Sequence, residues 1–104
     1  MKNRIAVRLN FEKTLSAVAG NPNGREAYDN QAKEIVENGI KDETNMFDII
    51  IPEQITSYSG SFFQGFFFNP VRIIGVSNVK KRFSIIAPGI KNETSEAIMA
   101  HIKP

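Results

Sequence analysis

The serines at positions 57, 59 and 61 are the side chains best placed for chemistry in this sequence. They lie in ITSYSGSFFQGFFFNP, residues 55–70, where small residues precede a run of phenylalanines. A helix that begins here would present free N–H groups beside these hydroxyls, which favours an anion or a phosphoryl group. Plain capping of that helix by Ser59 or Ser61 is the simpler interpretation. The candidate site therefore comprises Ser57, Ser59, Gly60 and Ser61.

Catalytic and metal sites are not predicted. The chain has one histidine and no cysteine, and a histidine-based triad would need a nucleophile and an acid gathered around His101 near the chain end. We interpret His101 as a surface residue of the last helix. The carboxylates form no metal-binding or acid–base motif. We therefore expect a non-enzymatic protein with no catalytic residue, metal or cofactor.

Two arginines are candidates for holding an anion. GNPNG at residues 20–24 lacks the Lys-Ser/Thr ending of a phosphate loop. Gly24 and Arg25 still offer a turn and a guanidinium, although ending a loop and starting a helix is their simpler role. An anion or nucleotide at the helix that follows the serines, with Arg25 or Arg72 nearby, is one alternative to a protein-binding function.

The phenylalanines near the middle of the chain predict a helix packed on a sheet. Five of them lie so close together that they cannot all face one side of a helix: Phe62, Phe63, Phe66, Phe67 and Phe68. We expect Phe63 or Phe68 to face outward, toward a partner or a second copy of the chain. An obligate homodimer built on this helix is therefore another alternative.

Hydropathy patterning predicts the elements that position these residues. Strands are predicted at RIAVRLN, FDIII and RFSII, residues 4–10, 47–51 and 82–86. A loop is predicted over 19–24. Helices are predicted over 25–39, from about 59 to 82 and from about 92 onward, the second broken at Asn69-Pro70. Residues 72–77 are alternatively a strand. This order predicts a single small α/β domain with a short mixed or parallel sheet flanked by helices.

Composition narrows the class of protein. A chain of 104 residues with 41% hydrophobic and 23% charged residues is typical of one globular domain. The absence of cysteine suits a cytoplasmic location, and no apolar run is long enough to cross a bilayer. The densest basic run, Lys80-Lys81-Arg82, is typical of a solvated helix end. We expect neither membrane nor nucleic-acid binding.

FDIIIPEQI followed by TSYSGSFFQGFF resembles the central signature of STAS domains, which occur in anti-sigma factor antagonists and sulfate transporters. The pattern is closer still to an uncharacterised STAS-like family of bacterial and phage proteins. In that family a Gly-Arg, with an Asp-Asn or Asp-Gly after it, precedes an acidic helix, an aliphatic strand and a Ser-Ser-Phe segment. The matching residues are Gly24-Arg25, Asp29-Asn30, Lys33-Glu34, Phe47 to Ile51 and Ser59 to Phe63.

The resemblance implies a regulatory protein-interaction module whose partner is a kinase-like ATPase or a sigma regulator. In anti-sigma factor antagonists, a serine in an Asp-Ser-Ser/Thr-Gly turn is phosphorylated to control binding. That serine falls on Gly60 here, between Ser59 and Ser61. Because glycine has no hydroxyl, Ser59 or Ser61 would have to replace it. The implied contact surface is the corner at residues 57–63, including Phe63.

Overall fold

A parallel sheet of three strands organises the fold, which the computed structural model describes over residues 3–104. The strands are β1 (Asn3–Arg8), β2 (Ala17–Val18), β3 (Asn45–Ile50), β4 (Ser57–Tyr58) and β5 (Phe83–Ile86). The helices are α1 (Asn21–Gln31), α2 (Lys33–Gly39), α3 (Gly60–Phe66), α4 (Phe68–Ile74), α5 (Val76–Arg82) and α6 (Ser95–Met99). The predicted α/β class and the short parallel sheet are confirmed.

The main sheet has the strand order β1-β3-β5. Both crossovers therefore step in the same direction, and right-handed crossovers then place the connecting helices on one face. The side chains on that face are buried: Val7, Phe47, Ile49, Phe83 and Ile85. The alternate positions of the edge strands, among them Arg4, Arg8 and Ile86, are exposed. One face of the sheet is thus packed and the other is open.

A chain of aromatic contacts joins the packed face of the sheet to α3 and α1. Phe47 stacks on Phe83 with 4.7 Å between ring centroids, and Phe67 meets Phe83 edge-on at 5.4 Å. Phe66 contacts Phe67 at 5.0 Å, and Tyr28 of α1 contacts Phe66 at 5.5 Å. Edge-on pairs of this kind add about 0.5–1.5 kcal/mol each beyond their buried area. The phenylalanine run is therefore mainly core.

Three short helices replace the single helix predicted over 59–82. Pro70 has no N–H, so the carbonyl of Phe66 loses its usual donor and the helix breaks at Phe67. Gly75, with φ 86°, separates α4 from α5. The predicted break near Asn69-Pro70 is confirmed, slightly earlier in the chain. The alternative strand over 72–77 is wrong, because these residues belong to α4 and α5.

The predicted loop over 19–24 is also wrong, since α1 already begins at Asn21. Pro22 occupies the first turn, where a helix has no use for the missing N–H. The helix predicted over 25–39 is two helices, interrupted at Ala32 (φ −124°). Short strands β2 and β4, which sequence patterning did not predict, form a separate parallel pair.

Backbone contact between α1 and α3 explains why a turn-forming sequence is helical here. A Cβ on Gly24 would overlap the carbonyl oxygen of Phe62 in α3. A Cβ on Gly65 of α3 would overlap the carbonyl oxygen of Asn21 in α1. Each helix therefore needs a residue without a side chain where it meets the other. The position predicted to end a loop, Gly24, is instead a packing position inside a helix.

Gly24→Ala should lower the free energy of unfolding by about 3 kcal/mol, because the added methyl group pushes two backbones apart. Helix propensity alone predicts the opposite sign, a gain of about 1 kcal/mol. Urea denaturation measures the difference. Asn30→Ala, at an exposed position of the same helix, should be nearly neutral. A Gly24→Ala variant as stable as the wild type would contradict the close packing.

Candidate functional site

The strand-to-helix corner that holds the candidate serines is fixed by β2. The amide of Ser59 donates to the carbonyl of Val18 at 2.9 Å. The hydroxyls of Ser59 and Ser61 are 2.7 Å apart and share a hydrogen bond. Ser57 is exposed, whereas Ser59 and Ser61 are half-buried. A phosphoryl group on either Ser59 or Ser61 would have to break the bond between the two hydroxyls.

The C-terminal segment covers this corner. The ring of His101 lies over Gly60, so a Cβ there would be 2.5 Å from Nδ1 of the imidazole. Gln64 also donates to the carbonyl of His101 at 3.0 Å. The prediction that His101 is a surface residue of the last helix is wrong: it follows α6 and is half-buried against the corner. Gly60, where the STAS-like resemblance would place the phosphorylated serine, can therefore accept a side chain only if the His101 ring moves.

Tyr58, Glu93 and His101 form a hydrogen-bonded chain beside the corner. The Tyr58 hydroxyl donates to Oε1 of Glu93 at 2.8 Å and lies 3.1 Å from Nε2 of His101. Because the single proton of the Tyr58 hydroxyl goes to the Glu93 carboxylate, Nε2 of His101 must donate to the Tyr58 oxygen. Burial, then the bond to Glu93, raises the pKa of Tyr58 to about 12. Nothing in the sequence pattern connects these three residues.

This hydrogen-bonded chain holds the end of the polypeptide rather than activating a nucleophile. The imidazole donates to a phenol, and the phenol donates to a carboxylate, so neither contact removes a proton from a serine. The serine hydroxyls bond to each other instead. The arrangement therefore fixes His101 above Gly60 and leaves the corner without an activated group.

Phe68 is the outward-facing phenylalanine, with 38% of its surface exposed. The alternative that Phe63 faces outward is wrong, because Phe63 is fully buried and packs edge-on against Tyr58 at 5.4 Å. Phe62, Phe66 and Phe67 are buried as well. A homodimer built on the phenylalanine-rich helix would have only one ring to use.

The structure brings the two candidate arginines together, but away from the serines. The guanidinium carbon of Arg25 lies 3.7 Å from the centroid of the Phe68 ring, and that of Arg72 lies 5.6 Å from the same centroid. Phe68 follows the C-terminal end of α3, whereas the serines lie at its N-terminal end. The guanidinium groups and the serines thus lie at different ends of α3, and the predicted anion site that combines them stays a prediction.

Residues 3–104 contain neither a metal-binding cluster nor a helix that could span a membrane. No three histidine, aspartate or glutamate side chains in this range lie close enough together to share a metal ion. Every helix in the same range is too short or too polar to cross a bilayer.

Comparison with known proteins adds no family assignment. No protein-family model matches the chain, and neither the curated proteins nor the solved structures include a significantly similar one. The STAS-like resemblance, and the phosphorylation switch that it implies, stay predictions. The function must be argued from the geometry.

Gly60→Ala should lower the free energy of unfolding by about 1 to 2 kcal/mol, because the methyl group displaces the His101 ring. In a His101→Ala background the same change should cost nearly nothing, since the obstructing ring is gone. Thermal or urea denaturation of the four proteins in this double-mutant cycle measures the coupling. Equal costs in the two backgrounds would show that His101 does not cover Gly60.

The two tyrosines of the chain should ionise well above pH 10, the usual pKa of the group. Burial and a bond to Glu37 raise the pKa of Tyr28, and Tyr58 should titrate at about pH 12. The native contacts favour the neutral phenol. For Tyr58 the contribution of these contacts to stability is therefore complete below about pH 10 and is lost as the pH rises from about 10 to about 12, whereas the contribution of Tyr28 persists to higher pH.

The near-ultraviolet absorbance of tyrosinate measures these ionisations. Tyr58→Phe should remove the step at about pH 12, and the chain unfolded in urea should show both tyrosines near pH 10. A folded protein in which one tyrosine ionises near pH 10 would contradict the hydrogen bonds of Tyr58 and Tyr28.

Proposed function

We propose that the chain is a non-enzymatic protein-interaction module that binds an extended acidic segment of a partner protein along the outer edge of β1. The observation that carries this proposal is the outer edge of β1, which pairs with no strand within residues 3–104 and lies next to an open face of the sheet. A partner strand that pairs with such an edge gains main-chain hydrogen bonds together with side-chain contacts on the face.

The alternation of a parallel ladder defines which groups of β1 point outward. The amides of Asn3 and Leu9 donate to the carbonyls of Thr44 and Ile50, at 3.3 and 2.9 Å. Every second amide therefore points toward β3, and those of Arg4, Ala6 and Arg8 point away from it. Within residues 3–104 these three amides make no backbone hydrogen bond outside their own sheet.

The opposite edge of the sheet is covered. The amide of Ile85 in β5 donates to the hydroxyl of Ser95 at the start of α6, at 2.8 Å. Only the β1 side is thus available to a further strand. An exposed strand edge is a template for pairing with another chain.

The open face supports the same proposal. Parallel sheets occur almost only with both faces covered, yet 44% of the surface of Ile86 is exposed and Arg4 and Arg8 are exposed as well. A partner segment beside β1 would bring further chain over this face and complete its cover.

Charge supports an acidic partner. Arg4 and Arg8 project from the same face of β1, and Arg4 is held in position by two hydrogen bonds to Asp48. Arg8 makes no ion pair within residues 3–104. Antiparallel pairing of two copies about Ala6 would place Arg4 opposite Arg8, and like charges in that position are destabilising. An acidic strand is therefore preferred over a second copy of the chain.

The serine corner is a weaker contact surface. Of the residues proposed for it, Phe63 is buried, Gly60 lies under His101, and Ser57 alone is exposed. The outer edge of β1 offers hydrogen-bonding groups and charge without any rearrangement.

Photo-crosslinking from position 8 tests the proposal. Arg8 is replaced by a photoreactive amino acid, and the chain is irradiated in a lysate of the native host. It should crosslink to a single acidic segment, which mass spectrometry can identify. A synthetic peptide of that segment should then bind the wild-type chain. Ala6→Pro should weaken this binding at least about tenfold, because proline removes the outward N–H at a position where an edge strand tolerates it.

Ala6→Ser is the matched control, since it keeps the N–H and should bind like the wild type. Circular dichroism should show that both variants are folded. The proposal fails if no segment is crosslinked, if the crosslinked segment is basic or apolar, or if a folded Ala6→Pro chain binds the peptide with unchanged affinity.

A further inference from the structure

We infer that Arg25, Phe68 and Arg72 form a binding site for a phosphate group, independent of the partner-binding edge of β1. The site combines two guanidinium groups from different parts of the chain over one exposed aromatic ring. We call these three residues the arginine–phenylalanine site.

Both guanidinium groups lie over the same aromatic ring. The guanidinium carbon of Arg25 lies 3.7 Å from the ring centroid and that of Arg72 lies 5.6 Å from it. The two carbons are therefore at most about 9.3 Å apart. Attraction between a cation and the face of a ring offsets part of their mutual repulsion.

The elements that carry these side chains are firmly placed. Arg25 directly follows Gly24, where the backbone of α1 touches that of α3. Phe68 begins α4 directly after the break at Phe67, and Arg72 lies one turn further along the same helix. The guanidinium groups are therefore positioned by helices in backbone contact and not by a loop.

The donors of both guanidinium groups remain available. Within residues 3–104, neither Arg25 nor Arg72 makes a side-chain hydrogen bond or an ion pair, and both are exposed. Asp29 lies beside Arg25 and Phe68 around a small cavity of about 50 Å³, without reaching ion-pair distance of Arg25. Its carboxylate is the one acidic group of that cavity.

A phosphate group suits this arrangement in charge and in hydrogen bonding. A phosphate monoester carries about −1.5 to −2 charges at pH 7, which two guanidinium groups balance. Guanidinium groups bind phosphate oxygens through paired N–H donors. The exposed edge of Phe68 also offers an apolar surface to the group that the phosphate esterifies. Inorganic phosphate and an aromatic phosphate ester are therefore the two informative probes.

Nuclear magnetic resonance of the arginine side chains tests the site directly. Titration with inorganic phosphate, in a buffer free of other phosphate, should shift the Nε–Hε signals of Arg25 and Arg72 along saturable curves. Sodium chloride at the same ionic strength should not reproduce these curves. Tighter binding of phenyl phosphate would identify an aromatic ester as the ligand, and equal binding would identify the phosphate group alone.

Three variants separate the site from general basicity. Arg72→Gln should weaken phosphate binding about tenfold, and Asp29→Asn should strengthen it by removing the adjacent negative charge. Lys80→Gln, which removes a charge at an exposed position of α5, is the control and should leave it unchanged. The inference is overturned if the shifts follow ionic strength alone, if Arg4 and Arg8 shift as much as Arg25 and Arg72, or if Arg72→Gln binds with unchanged affinity.

Discussion

The backbone contact between α1 and α3 is the constraint on which the rest of the molecule depends. With Gly24 against Phe62 and Gly65 against Asn21, no side chain separates the two helices. The close approach of α1 to α3 sets how far Tyr28 reaches toward Phe66. It therefore also sets how the aromatic rings continue to Phe83 in the sheet. Interiors are packed at crystal-like density, so a shift at this crossing would propagate along the whole series of rings.

The same crossing organises the surface around α3. At the N-terminal end of this helix, the corner at Ser59 is tied to Val18 and covered by His101. Beyond its C-terminal end, Arg25 and Arg72 meet over Phe68. The two sets of candidate residues are thus held at opposite ends of one rigid element.

Hydropathy patterning predicts the strands and helices that have a regular periodicity. It does not predict features that depend on contacts between residues distant in the sequence. The strands at Ile5–Val7, Phe47–Ile51 and Phe83–Ile86 follow from alternation or apolar runs, and parallel order follows from the helices between them. The helical state of Asn21 to Gly24 does not follow, because it is stabilised by contact with α3 and local turn propensity argues against it. The position of His101 above Gly60 and that of Arg25 and Arg72 over one ring do not follow from the sequence pattern either. Each of these pairs joins residues from different elements, and no spacing in one sequence records that they meet.

The strictly parallel sheet also has a kinetic consequence. Asn3 pairs with Asn45 and Phe47 with Phe83, so each ladder closes a loop of about forty residues and neither begins from a hairpin. The sheet has no local nucleus, and its strands gain their hydrogen bonds only after the helices between them have been drawn together. The contact between α1 and α3 is non-local as well, since it joins segments on either side of β3. In such topologies, folding is slowed by the search for distant contacts rather than by the formation of any single element.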